Sequence, residues 1–156
     1  MTMYQPEHFK PQEYVSETLY KRRGAKSLEL MDERILKTMD TLRERLGAPI
    51  TINNWLWGGD RNQSGLRDDS FYKSDSAYAD SLSQHKYGRA VDFLVKGIPA
   101  HEVRKHILEN RELYPAITFL EVGINWVHID CRNGEFRCWS PDNKFHTLAE
   151  VIKNKL

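Results

Sequence analysis

Two histidines and an aspartate carry the strongest chemical signal in the chain. His85 and Asp92 lie in the run Ser83-Gln84-His85-Lys86-Tyr87-Gly88-Arg89-Ala90-Val91-Asp92, and His128 lies in Trp126-Val127-His128-Ile129-Asp130. Both runs place polar side chains where a strand would otherwise bury apolar ones. Strand alternation puts Ala90 and Asp92 on one side with Val91 and Phe93 on the other. The same rule puts His128 and Asp130 on one face and Val127 and Ile129 on the core side. Gly88 and the small Ala90 let the chain turn between His85 and Asp92. Two imidazoles and a carboxylate would supply three ligands and leave a fourth position for water, as in a catalytic zinc site rather than a structural one. A zinc ion held that way lowers the pKa of its water to about 7 and polarises a carbonyl. Spacing alone leaves a second reading open, in which the histidines are hydrogen-bonded core residues. A third polar run, Ser64-Gly65-Leu66-Arg67, precedes the other two.

Taken together, these runs resemble a known family. SQHKYGRAVDF is similar to the S-x-H-x-x-G-x-A-x-D signature of peptidase family M15. These are zinc D-Ala-D-Ala carboxypeptidases and L-Ala-D-Glu endopeptidases acting on peptidoglycan stem peptides, many of them phage endolysins. WVHIDCR is similar to the second signature, W-V-H-x-D-x-R, and SGLR to the S-G-x-R preceding the first. The resemblance spans Ser64 to Arg132 and implies His85, Asp92 and His128 as zinc ligands. It also implies the fold shared with the hedgehog signalling domain.

The family needs a carboxylate base to take a proton from water. The carboxypeptidase branch carries it three residues before the last ligand, where this chain has Asn125, an amide that cannot accept the proton. Glu121, seven residues before His128, is the nearest alternative and resembles the hedgehog-like placement. Asp130 is read as a supporting carboxylate paired with an arginine, and as the lesser candidate for the base. Arg67 is expected to hold a substrate carboxylate or the oxyanion of the tetrahedral intermediate, with Arg61 as its substitute if the loop threads differently. Ser83 is expected to bond the loop backbone or a ligand. Trp55, Trp57, Tyr72, Tyr78, Tyr87 and Trp126 are candidates to line a cleft or to sit in the core. His8, His101, His106 and His146 have no partner spacing that recruits them.

The elements that must position these groups read as one α+β domain over residues 1–156. The first 25 residues are an irregular lead-in, with at most a short helix around Pro11–Thr18. From Ser27 to Leu46, apolar residues recur at three- and four-residue steps, the mark of an amphipathic helix capped by Ser27 and stopped by Gly47 and Pro49. A β-prone run follows from Ile50 to Trp57, and Asp60 to Ser83 shows no periodicity, as functional loops often do not. Strands are expected at Ala90–Val95, Ile117–Val122, Trp126–Cys131 and Glu135–Trp139, and helices from Pro99 to about Asn110 and near Leu148–Leu156. Asn133-Gly134 reads as a hairpin turn that would bring Cys131 and Cys138 near one another on neighbouring strands. Together with the resemblance, this predicts a small mixed or antiparallel sheet with helices packed on one side.

Composition bounds the rest. At 156 residues, 40% hydrophobic and 29% charged, the chain fits one globular domain and not a disordered tail or a fibre. A net charge of +1 removes the usual electrostatic argument for a polyanion-binding surface, although a local patch would survive such averaging, and nucleic acid is not an expected partner. No apolar run approaches the roughly 20 residues of a membrane span. The N-terminus lacks the pattern of a secretory signal. The expectation is a monomer kept in the cytoplasm until it reaches a bacterial wall peptide, either as a lysin released through a holin-type pore or carried in a virion. The competing expectation is a zinc-bearing, non-hydrolytic binding module or virion structural part.

Overall fold

The computed structural model describes residues 2–156. Its helices are α1 Glu17–Arg23, α2 Glu33–Leu46, α3 Asp75–Asp80, α4 Ala100–Glu109 and α5 Leu148–Lys153. Its strands are β1 Ile50–Thr51, β2 Ala90–Val95, β3 Phe119–Glu121, β4 Val127–Asp130, β5 Arg137–Ser140 and β6 Lys144–His146. The strands form one sheet in the order β1-β2-β4-β3-β5-β6, antiparallel except where β3 runs parallel to β5. The fold is α+β with a mixed sheet, and no helix among the described residues is long and apolar enough to cross a membrane.

Alternation divides the sheet into two chemically different faces. Val91, Phe93, Leu120, Val127, Ile129 and Cys138 are buried in one hydrophobic cluster with Ile35, Leu36, Met39 and Leu42 of α2, Val103 and Ile107 of α4, and Val151 of α5. The opposite face carries a row that runs across five strands. Asp92 pairs with His128, His128 with Glu121, Glu121 with Trp139, and Trp139 with Phe145. Directly opposed residues on neighbouring strands share a face, so chain segments far apart in sequence deliver one continuous polar and aromatic strip. Burying the apolar face thereby fixes the register of the reactive one, because a one-residue slip would exchange the faces.

Several local expectations are corrected. The lead-in is not irregular throughout: Pro11–Glu13 forms a 3-10 turn, and α1 follows it rather than a helix at Pro11–Thr18. Ser16 starts α1 by accepting a hydrogen bond from the Leu19 amide at 3.1 Å. The long helix begins at Glu33, not after Ser27, with Asp32 as its cap. Ser27 instead sits in a 3-10 stretch, Gly24–Leu30, and donates to the Gly24 carbonyl at 2.7 Å. Trp55–Trp57 is a 3-10 turn rather than strand, leaving only Ile50–Thr51 extended. The segment from Asp60 to Ser83 contains α3 and a 3-10 turn at Asp69–Phe71.

The largest correction concerns Asn133-Gly134. The two flanking strands are not neighbours, because β3 lies between β4 and β5. A separation of two strand spacings, about 10 Å, exceeds the reach of a disulfide. Cys131 and Cys138 are both free and buried, and burial raises each thiol to about 11.

Gly88 locks the turn that carries His85. Its φ of +67° closes the 3-10 turn Gln84–Tyr87, its carbonyl accepts from the Asp32 amide at 2.9 Å, and a Cβ there would collide with the Leu30 carbonyl oxygen. Gly88→Ala therefore combines a left-handed penalty with a backbone clash, and should cost about 3 kcal/mol. Thermal unfolding should register a fall in melting temperature of roughly 6–12 °C.

Candidate metal centre and its cleft

His85 reaches the site from the 3-10 turn, Asp92 from β2 and His128 from β4. His85 Nε2 lies 3.3 Å from Asp92 Oδ1 and 3.3 Å from His128 Nδ1, and His128 Nδ1 lies 2.8 Å from the same carboxylate oxygen. One donor atom from each residue therefore meets the other two. Two of these separations match the edge of a tetrahedron built on metal bonds of about 2.0–2.1 Å, which is about 3.3 Å, and the third, at 2.8 Å, is shorter than that edge.

The outer nitrogens decide what the inner ones can be. His85 Nδ1 lies 2.8 Å from the Gly65 carbonyl, which can only accept, so this nitrogen carries hydrogen. His128 Nε2 lies 3.0 Å from Asp130 Oδ2, which likewise accepts. In neutral rings the facing atoms, His85 Nε2 and His128 Nδ1, are then both lone pairs, and both look at a carboxylate oxygen. Three acceptors converge with no donor of their own, an arrangement that calls for a cation or a proton. An outer hydrogen bond that fixes the tautomer of a ligating histidine is the usual support of a metal site.

The ionisation preferences agree. Burial disfavours the charged form of His128, yet hydrogen bonds to Asp130 and Asp92 outweigh it and hold the imidazolium up to about 9. Burial pushes the Asp92 carboxyl up, but the two histidines overcome it and keep the group well below the ordinary carboxylate range. Burial lowers His85. The direction of these shifts favours a positive charge at His128, beside the place a cation would take. The donor set, two imidazoles and one carboxylate, fits a zinc-type ion.

Asp130 is fully buried and anchors the back of His128. Arg132 grips it at both oxygens, Nε to Oδ1 at 2.8 Å and Nη2 to Oδ2 at 2.5 Å, and lays its guanidinium 3.6 Å from the centre of the Phe119 ring. That pairing occupies Asp130 with holding His128 and Arg132, rather than with proton transfer in the cleft.

The run Ser64-Gly65-Leu66-Arg67 threads between β2 and the His85 turn. Ser64 accepts from the Asp92 amide at 2.7 Å, Leu66 donates to the Tyr14 carbonyl at 2.8 Å, and Arg67 donates to the His85 carbonyl at 3.0 Å. Gly65 passes so close to the Tyr14 carbonyl that a Cβ would collide with it. Arg67 ends with Nη2 3.3 Å from Asp92 Oδ2, on the oxygen that the histidines do not use, and stacks on Phe71.

A cleft of about 480 Å³ opens beside the three donors, with Arg67, Glu121, Trp126, Arg137, Trp139 and Phe145 among the residues around it. Glu121 stands opposite His128 at the end of β3, half-buried. Burial raises its carboxyl above the ordinary range, and although His128 pulls it back, the net direction is up. Its carboxylate makes no hydrogen bond among the described residues. Asn125 is exposed and lines a separate hollow with Arg104, so the position three before His128 does not face this cleft. Arg104, buried on α4, holds that turn by donating to the carbonyls of Ile124, Trp126 and Leu156 at 2.8–2.9 Å.

Other expected site residues fall elsewhere. Ser83 lies at the cleft wall, but its hydroxyl makes no hydrogen bond to the ligand trio or the loop backbone among the described residues. Arg61 is spent on the Ile52 carbonyl and does not reach the cleft. Of the six aromatic candidates, only Trp126 lines it. Trp55 donates to the Val15 carbonyl, Trp57 is exposed, Tyr72 packs on Phe71 and Tyr78, and Tyr78 and Tyr87 line a second hollow. The remaining histidines are placed outside: His8 faces Glu44, His101 lies near Glu102, His106 meets Tyr114, and His146 meets Ser140.

Sequence reasoning missed Phe119, Arg137, Trp139 and Phe145 as parts of the wall. Phe119 was accessible through alternation with Glu121, whereas the others depend on the β3–β5–β6 pairing. Comparison with family models, curated proteins and solved structures returns no match.

Proposed function

We propose that the protein is a zinc-dependent peptidase of the M15 type that hydrolyses an amide bond in bacterial peptidoglycan stem peptides. The observation that carries the reading is the meeting of His85 Nε2, Asp92 Oδ1 and His128 Nδ1, three acceptors whose two rings are fixed by donating their outer N–H groups to the Gly65 carbonyl and the Asp130 carboxylate, beside an open cleft that holds an unpartnered Glu121. The resemblance of the three sequence runs to that family supports the choice of reaction.

Zinc bound at this trio would acidify a water and polarise the substrate carbonyl. Glu121 takes the proton of the attacking water and delivers it to the leaving amine as the carbon–nitrogen bond breaks; its raised affinity for protons suits both tasks. Arg67 fixes the orientation of Asp92 and presents positive charge to the oxyanion or to a substrate carboxylate. His128 is held by Asp130, which Arg132 neutralises in turn.

Digestion of defined muropeptides followed by mass measurement tests the reading. One amide bond should open, with the product mass locating it, and a chelator should stop the reaction until zinc is restored. Intact muropeptides at full zinc loading would favour the alternative, a zinc-bearing binding module.

A further inference from the structure

The cleft has two cationic ends, and only one is neutralised by the protein itself. Arg67 is paired with Asp92, and Arg132, which also lines the cleft, is paired with Asp130. Arg137 lines the same cleft from β5, is exposed, and has no carboxylate partner among the described residues. Its guanidinium lies 5.8 Å from the Phe119 ring centre and 5.9 Å from that of Phe145. Phe145 is 62% exposed, and Trp139 stands between it and Glu121 in the transverse row. An unpaired arginine set between aromatic rings at a cleft wall matches a ligand with an apolar stem and an anionic tip.

We infer that Arg137, with Trp139 and Phe145, forms a specificity subsite that reads a free carboxylate on the substrate peptide, on the side of the scissile bond away from Arg67. The inference rests on the peptidase reading and adds the substrate's charge to it. Placement follows from the sheet. The Arg137 guanidinium lies 5.8 Å from the Phe119 ring centre, and that ring centre lies 6.2 Å from that of His128, so the guanidinium is within about 12 Å of the His128 ring, the span of three to four residues of extended peptide. The carboxylate it reads is therefore no more than about three to four residues from the bond attacked. The guanidinium donates to that carboxylate, and the two rings pack on the intervening methylenes.

The test uses matched stem peptides whose internal carboxylates are either free or amidated, with the C-terminal carboxylate kept in both. The zinc-loaded wild type should prefer the free form by about tenfold in kcat/KM, expressed chiefly in KM, as one charge-assisted contact at a partly exposed site would give. In Arg137→Gln that ratio should collapse towards one, and in Arg137→Glu it should invert. An exposed position makes misfolding a poor explanation of such a change, and a purely structural arginine would not reverse a preference. Equal wild-type cleavage of both peptides, or a preference that survives in Arg137→Gln, overturns this inference while leaving the peptidase reading standing. Failure to cleave either peptide overturns both.

Discussion

On the proposed peptidase reading, Glu121→Gln should lower peptide hydrolysis by about 10²–10⁴-fold while zinc content stays at one ion per chain. The asymmetry follows from where the residue sits. Glu121 faces His128 from the end of β3, yet the three convergent donors come from the 3-10 turn, β2 and β4. Removing its charge would take away the proposed proton acceptor without touching any of the three candidate ligands. Gln keeps the size of Glu, so the half-buried position should not open a hole. Burial makes the Glu121 carboxyl a stronger proton acceptor than an ordinary surface glutamate, and that advantage is what the amide loses. Hydrolysis at the wild-type rate in this variant would move the base elsewhere. Loss of zinc along with activity would instead make Glu121 a ligand.

Asp130→Asn probes the layer behind the candidate metal site. The carboxylate is fully buried and receives His128 Nε2 on one oxygen and Arg132 on both. An amide oxygen can still accept from His128, but it brings no charge, so the ring becomes a weaker donor to a cation. Zinc affinity should fall about 10–100-fold. Arg132 would also face a neutral group, and the apo protein should lose roughly 1–3 kcal/mol, less than for a sealed pair because Arg132 is partly solvated. Competitive zinc titration and thermal unfolding of the apo protein separate the two effects. A variant that is less stable but binds zinc as tightly as the wild type would reduce Asp130 to a packing role.

How far these groups could be found without coordinates depended on whether their placement was local. The alternation of Ala90–Val95 and Trp126–Asp130 assigned each residue a face, and β2 and β4 form with those faces. Asp92 and His128 share a side for that reason. Elements governed by distant contacts were not legible. Ser27 and Asp32 are both good caps, and the choice fell to Asp32 because its amide meets the Gly88 carbonyl. The tryptophans of Trp55–Trp57 favour strand by type, but the Asn54 backbone pairs with Arg61 and closes the segment into a turn. The Asn133-Gly134 turn looked like a hairpin because nothing local announces that β3 inserts between the strands it joins. That same insertion brings Trp139 and Phe145 into line with Glu121, which is why the far wall of the cleft escaped notice.

Anomalous scattering at the zinc edge from crystals of the zinc-loaded protein addresses the metal centre most directly. A single strong peak is expected within about 2.0–2.3 Å of His85 Nε2, Asp92 Oδ1 and His128 Nδ1, with its remaining coordination position open towards the cleft and Glu121. The exposed Glu7, His8 and Glu44 form the rival cluster. A peak there alone, or no peak among three side chains that keep the positions described, would contradict the account.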